Sequence, residues 1–220
     1  MIKSKFLIDK METMYPSIGH YADVNELGDL GYLYTQALST TYGYVLEGEA
    51  NFEGEESITA GKYFCRWTKE QTRINYTGKL VLFIRVGFKG QNLIGGPIEE
   101  GGRLSYIDGC SDTILVYPPR LGDPSLNVLY FPKGVDQTFH THPSIRMGVV
   151  VSGAGFASLG DNEESDVVLT VGDMFCLEQN ERHRFRTTGN TMIIVVYHPD
   201  GDWGPTDHDH IMKNRTYLTK

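Results

Sequence analysis

Residues 147–155 read Met147-Gly148-Val149-Val150-Val151-Ser152-Gly153-Ala154-Gly155, and residues 42–50 read Tyr42-Gly43-Tyr44-Val45-Leu46-Glu47-Gly48-Glu49-Ala50. Both are apolar runs with glycine at the second and seventh places. A second signature follows each run: Gly61-Lys62-Tyr63-Phe64-Cys65 after the first and Gly172-Asp173-Met174-Phe175-Cys176 after the second. Two matches in the same order mark an internal repeat. Each unit reads as a strand, a glycine turn, a strand, a second glycine turn and a further strand, with no sustained helical period.

The rest of the chain continues this pattern. Leu80 to Val86, Thr113 to Tyr117, Asn127 to Phe131, Val167 to Leu169 and Met192 to His198 are short and rich in Val, Ile, Tyr and Phe. Turn clusters such as Gly95-Gly96-Pro97 and Gly122-Asp123-Pro124 separate them. The expectation is an all-β chain of sandwich or jelly-roll type with little helix, the one helical candidate lying near Met11 to Tyr15. The two copies divide it into residues 1–95 and 96–220, joined by a connector around Gln91 to Asp112. The end, Pro199 to Lys220, is too polar and too rich in Gly and Pro marks to be a core strand throughout.

Composition sets the remaining bounds. With 220 residues, 40% hydrophobic and 22% charged, the chain can bury a core and is neither disordered nor collagen-like. Its 20 basic and 28 acidic residues leave a net charge of -8, which gives a nucleic-acid backbone no attraction. No apolar run nears the roughly 18 residues of a membrane span, and Met1 to Lys10 shows no signal-like apolar stretch. Cys65, Cys110 and Cys176 form no metal-type pair and read as buried thiols. That sparse, odd count suits a reducing cytoplasm.

Chemistry concentrates in the second copy. In Gly134-Val135-Asp136-Gln137-Thr138-Phe139-His140-Thr141-His142-Pro143-Ser144-Ile145-Arg146, two histidines stand at i and i+2, so on an extended strand both rings leave one face. His183 follows across the next hairpin, where a barrel strand can bring it opposite the pair. Three neutral imidazoles with open positions suit one divalent first-row ion: iron, zinc, manganese, nickel or copper.

These residues resemble the cupin superfamily, and the duplicated layout resembles a bicupin. The first cupin motif runs glycine, five residues, His-x-His, three or four residues, glutamate, six residues, glycine. Gly134, His140, His142 and Gly153 match it, while the glutamate position falls on Arg146. Gly172-Asp173 and His183 match the second motif, whose usual proline and glycine are replaced by Glu178 and Asn180. The resemblance implies two tandem double-stranded β-helix barrels, with His140, His142 and His183 holding a metal such as iron, zinc, manganese or nickel. In the first copy the equivalent places are Thr35, Ala37, Thr41 and Thr72, which implies a barrel without a metal. Three-histidine cupins include oxygen-dependent thiol and diketone dioxygenases.

Arg146 is the departure that bears on function. A glutamate would lower the charge on a bound cation; a guanidinium adds to it, so the site is expected to take a small anionic molecule. Glu178, Tyr130 and His198 are the proton-handling candidates near the motif. Arg184 and Arg186, out of phase with His183, are expected in solvent. The run from His198-Pro199-Asp200 to Asp207-His208-Asp209-His210 is a further polar cluster, with His208 and His210 as weak ligands and Trp203 as a packing residue.

Two function classes follow. The first is a metal-dependent enzyme acting on a small anionic metabolite, by dioxygenation or by Lewis-acid isomerase or lyase chemistry, with Arg146, Glu178 and Tyr130 assisting. The second is a non-catalytic module that binds a metabolite or a metal. A metal-free sugar isomerase or epimerase is a third class, and it leaves the triad unexplained. The chain is expected to act without nucleic acid or membrane, and a homodimer is allowed.

Overall fold

The computed structural model describes residues 7–24, 30–120, 122–160 and 166–200. In chain order its strands are β1 (Leu7–Ile8), β2 (Met11–Met14), β3 (Ser17–Asp23), β4 (Gly31–Tyr34), β5 (Ser39–Phe52), β6 (Ile58–Thr59), β7 (Tyr63–Thr68), β8 (Arg73–Val86) and β9 (Leu93–Gly95). The second half adds β10 (Leu104–Ser105), β11 (Ser111–Val116), β12 (Ser125–Phe131), β13 (Arg146–Leu159), β14 (Val167–Thr170), β15 (Met174–Leu177), β16 (His183–Arg186) and β17 (Met192–His198). The only helical turn among the described residues is a 3-10 segment, Ile107–Gly109. The chain is therefore all-β, and none of its described helices is long and apolar enough to cross a membrane.

Two antiparallel sheets result. The first is ordered β2-β3-β8-β5-β7-β9, with β4 on β8 and β6 on β5. The second is ordered β1-β15-β13-β17-β12-β11-β10, with β14 and β16 on β13. In the second, β13 pairs with β15 and β17 through its first half and with β14 and β16 through its second, which bends the sheet into two layers. The bend falls at a register shift between Val150 and Ser152. β5 carries the matching shift between Val45 and Glu47.

The repeat read from sequence is a repeat of backbone geometry. Gly48 and Gly153 have φ of 77° and 73°, and Gly61 and Gly172 have φ of 82° and 95°, a region that favours glycine. The Val45 amide bonds the Lys62 carbonyl at 3.0 Å, and the Val150 amide bonds the Asp173 carbonyl at 3.1 Å. Gly43 lies opposite Phe64 and Gly148 opposite Phe175, and at each pair a Cβ on the glycine would collide with the ring. Each glycine is thus the space its partner's ring occupies.

Three apolar clusters hold these sheets. One, with Phe52, Phe64, Ile74 and Leu82, fills the first barrel. Another, with Phe131, Phe175, Phe185 and Ile194, fills the second. The third lies between the sheets and joins Tyr42, Tyr44 and Phe83 to Met147, Val149 and Tyr197. There the Phe83 and Tyr197 rings stack at 5.4 Å with 6° between planes, and Tyr42 packs on Tyr197 at 5.2 Å. Cys65, Cys110 and Cys176 are all free and buried.

Several expectations need correcting. Met11 to Tyr15 is not helical, since Met11–Met14 pairs with Ser17–His20 as a hairpin whose turn contains Pro16. The methionines at i and i+3 imitate a helical period, but a helix would leave the β3 edge without hydrogen bonds. The connector around Gln91 to Asp112 contains β9 and β10, and the change of sheet falls between Gly95 and Leu104. β1 crosses back to pair with β15 of the second sheet. The cluster at Asp202, Trp203, His208 and His210 lies outside the described residues.

Candidate metal centre and cavity

The second barrel encloses a cavity of about 480 Å³. Period two sorts β12 and β17 between its interior and the core between the sheets. Ser125, Asn127, Leu129 and Phe131 line the cavity, while Leu126, Val128 and Tyr130 face the other sheet. On β17, Ile194, Val196 and His198 face in, and Val195 and Tyr197 face out.

His140 and His142 reach this cavity from an irregular arm rather than from a regular strand. The arm is tied down by an isolated bridge between His140 and His183, whose amides and carbonyls exchange bonds of 3.0 Å. The turn before His183 places Asn180 at φ 59°, a conformation asparagine tolerates better than most residues. Ring centroids are 4.4 Å apart for His140 and His183, 5.0 Å for His140 and His142, and 5.1 Å for His142 and His183. One nitrogen from each ring falls within 4.8 Å of the other two. The sequence placed both rings on one strand face; the convergence is real, and the bridge to β16 produces it.

Backbone carbonyls orient the rings. His140 Nδ1 lies 2.8 Å from the Thr138 carbonyl and His183 Nδ1 lies 2.9 Å from the Glu181 carbonyl, so each Nδ1 carries the proton and donates it. That leaves each Nε2 with a free lone pair. His183 Nε2 is buried with no hydrogen-bond partner, an arrangement that is costly unless a ligand completes it. Burial first, then the charge of Arg146, pushes His142 down to about 3. Burial takes His183 down to about 4, with the Glu181 carbonyl opposing, and also lowers His140. All three imidazoles are neutral at neutral pH, the form that ligates metal. The residues present therefore fit one transition-metal ion bound by three histidines.

Arg146 is buried at the start of β13 and lines the cavity. Its Nη1 donates to the Ser144 carbonyl at 3.0 Å, Ser144 Oγ at 2.7 Å and the Ile145 carbonyl at 2.9 Å. His198 lines the same wall, held well below the usual histidine value by burial and then by Arg146.

Glu178 and Tyr130 do not join this group. Glu178 is exposed on the turn after β15, outside the cavity lining. Tyr130 faces the core between the sheets, and its hydroxyl donates to the Glu99 carbonyl at 2.7 Å. Arg184 and Arg186 are out of phase with His183, as expected, but are not solvated: Arg184 pairs with Asp136 at 2.9 Å and Arg186 pairs with Asp166. Asp112 and Asn127, which sequence reading passed over, both line the cavity. The available signal for Asp112 was its place two residues ahead of the apolar run Ile114 to Val116, in phase with Ile114.

In the first barrel the place of the His140–His183 bridge is taken by Thr35 and Thr72, whose amide and carbonyl bond at 2.9 Å. Thr35 Oγ1 accepts from Thr68 Oγ1 at 3.1 Å and from the Thr72 amide at 3.0 Å.

Comparison with known proteins agrees with this fold. Residues 127–198 match the family described as cupin domain. That stretch, about a third of the chain, is similar to a cupin domain. Solved structures with the same fold include a cupin 2 conserved barrel domain protein from Leptotrichia buccalis, with 15% identity, TM-score 0.53, and coverage of 82% of this chain and 80% of that one. The putative glyoxylate-induced protein from Pseudomonas aeruginosa aligns at TM-score 0.61 and 13% identity over 89% of this chain and 82% of its own. Salicylate 1,2-dioxygenase from Pseudaminobacter salicylatoxidans aligns at TM-score 0.60 and 10% identity, covering 83% and 70%. No curated protein matches the chain.

Proposed function

We propose that this chain is a metal-dependent cupin enzyme acting on a small anionic organic molecule, with one divalent first-row ion held by His140, His142 and His183. The observation that carries the reading is the meeting of three neutral imidazoles and a buried guanidinium in one largely apolar cavity. Iron at that position would supply oxygen-activating chemistry, and zinc, manganese or nickel a Lewis acid for isomerase or lyase chemistry. The dioxygenase reading comes first, because the fold is shared with a salicylate 1,2-dioxygenase.

The chain's own groups have separable tasks. Arg146, with Nη1 fixed by Ser144 and Ile145, binds and orients the anionic group of the substrate. Leu129, Phe131, Ile194 and Val196 exclude water and strengthen that contact. His198, neutral on the same wall as Arg146, offers the substrate a hydrogen bond from its ring nitrogens. Neither Glu178 nor Tyr130 takes part. The first barrel is a second cupin without metal, kept for packing against the β12–β17–β13 face.

A second reading, a binding module without turnover, is favoured by the placement of Glu178 and Tyr130 away from the cavity. Oxygen uptake by anaerobically prepared, iron-loaded protein with a panel of keto, thiol and enol acids decides between them. Substrate-dependent uptake that disappears in His140→Ala/His142→Ala supports the enzyme. Tight binding of an acid with no uptake, and no change in that acid with zinc, manganese or nickel, supports the binding module.

A further inference from the structure

The wall of the cavity carries a second polar pole. Asp112, on β11, is the only carboxylate among its described lining residues. Asn127 Nδ2 donates to Asp112 Oδ2 at 2.9 Å, and Ser125 Oγ donates to Asn127 Oδ1 at 3.1 Å. This ladder fixes the Asn127 amide and, through it, the carboxyl. Asp112 Oδ1 is buried and accepts no hydrogen bond. A carboxylate oxygen left so is costly, and in a ligand cavity the missing donor is the ligand's. Burial raises the Asp112 pKa, with Asn127 and the Thr113 backbone opposing.

The register separates the two poles. Asp112 lies opposite Leu129, Leu129 opposite Ile194, and Ile194 opposite Val150. Arg146 lies four residues before Val150 on β13, about 13 Å along the strand at the usual rise. Leu129, Ile194 and Val196 supply an apolar stretch between them.

We propose that Asp112 is a specificity-determining residue, and that the cavity takes a bifunctional acid: a carboxylate at the Arg146 end, an apolar spacer, and a hydrogen-bond donor, hydroxyl or ammonium, received by Asp112 Oδ1. The carboxylate end rests on the function proposed above; the donor end rests on Asp112 alone.

Calorimetric titration of the metal-loaded protein tests it. The probes are butanoate, hexanoate and octanoate, their ω-hydroxy and ω-amino counterparts, and hexanol and hexylamine. For at least one chain length the donor-bearing acid binds wild type about tenfold or more tightly than its parent acid, and Asp112→Asn removes that advantage while leaving the parent acid unchanged. Hydroxyl and ammonium are told apart by which counterpart gains. Equal binding of parents and counterparts, or an advantage that survives in Asp112→Asn, overturns the proposal. Asp112-dependent binding of hexanol or hexylamine with none of any acid leaves Asp112 standing and removes the Arg146 reading. Binding of no probe removes both.

Discussion

Arg146 and Asp112 place opposite charges in one barrel, and each gives a prediction at the level of the single side chain. Arg146→Met should leave metal stoichiometry unchanged and weaken hexanoate by about 1.5–3 kcal/mol, the range for hydrogen bonds to charged groups, as read by titration calorimetry. Equal affinity in the two proteins would make the arginine structural. For Asp112 the sign follows from its raised pKa against an ordinary value of 3.8. Ionisation costs the folded chain more than the unfolded one, so the group's contribution is intact below about pH 4 and is lost as pH rises through the raised folded value. Asp112→Asn should match wild type in acid and melt higher at neutral pH; a variant that melts lower at every pH would show that the carboxylate holds the fold together. The triad was legible in sequence because His-x-His and His183 sit in a glycine frame. Tyr130 was misread for a physical reason: β12 is covered on both faces, so burial does not show which parity faces the cavity. Glu178 was misread because proximity in sequence to His183 says nothing about which side of a turn a side chain leaves.

At the level of the element, the repeated glycines should differ sharply in what a methyl group costs. Gly153 has φ 73°, and a Cβ there would meet the Thr191 carbonyl, which is backbone and cannot step aside. Gly134 has φ 78° with nothing within 4 Å of such a Cβ. Gly153→Ala should therefore cost about 3 kcal/mol or more, and Gly134→Ala only about 1–2 kcal/mol for the left-handed backbone, both from urea unfolding midpoints. Similar losses at the two sites would mean that the β13–β17 approach is looser than described. These turns were legible because a positive φ writes itself into sequence as glycine. The β2 hairpin was not, since four residues with methionine at both ends fit a helix as well as a strand until β3 supplies the pairing.

At the level of the whole molecule, the two sheets share a core, so they should unfold together. Phe83, Tyr42 and Tyr197 pack across the joint, and calorimetry should show a single transition in wild type. Phe83→Ala should cost roughly 3–5 kcal/mol and broaden or divide that transition; two separated transitions in wild type would contradict a shared core. The repeated turns were legible because both halves keep the same glycines in the same order. The joint was not, for nothing in a strand's alternation distinguishes a face that meets its own barrel from one that meets the neighbouring sheet, and the return of β1 to β15 depends on two residues only. The proposed function stands on the ligand set. Elemental analysis of the purified wild type and of His140→Ala/His142→Ala tests it most directly: about one first-row transition metal per chain in the wild type and almost none in the variant is the predicted result, and undiminished stoichiometric metal in a folded variant would contradict it.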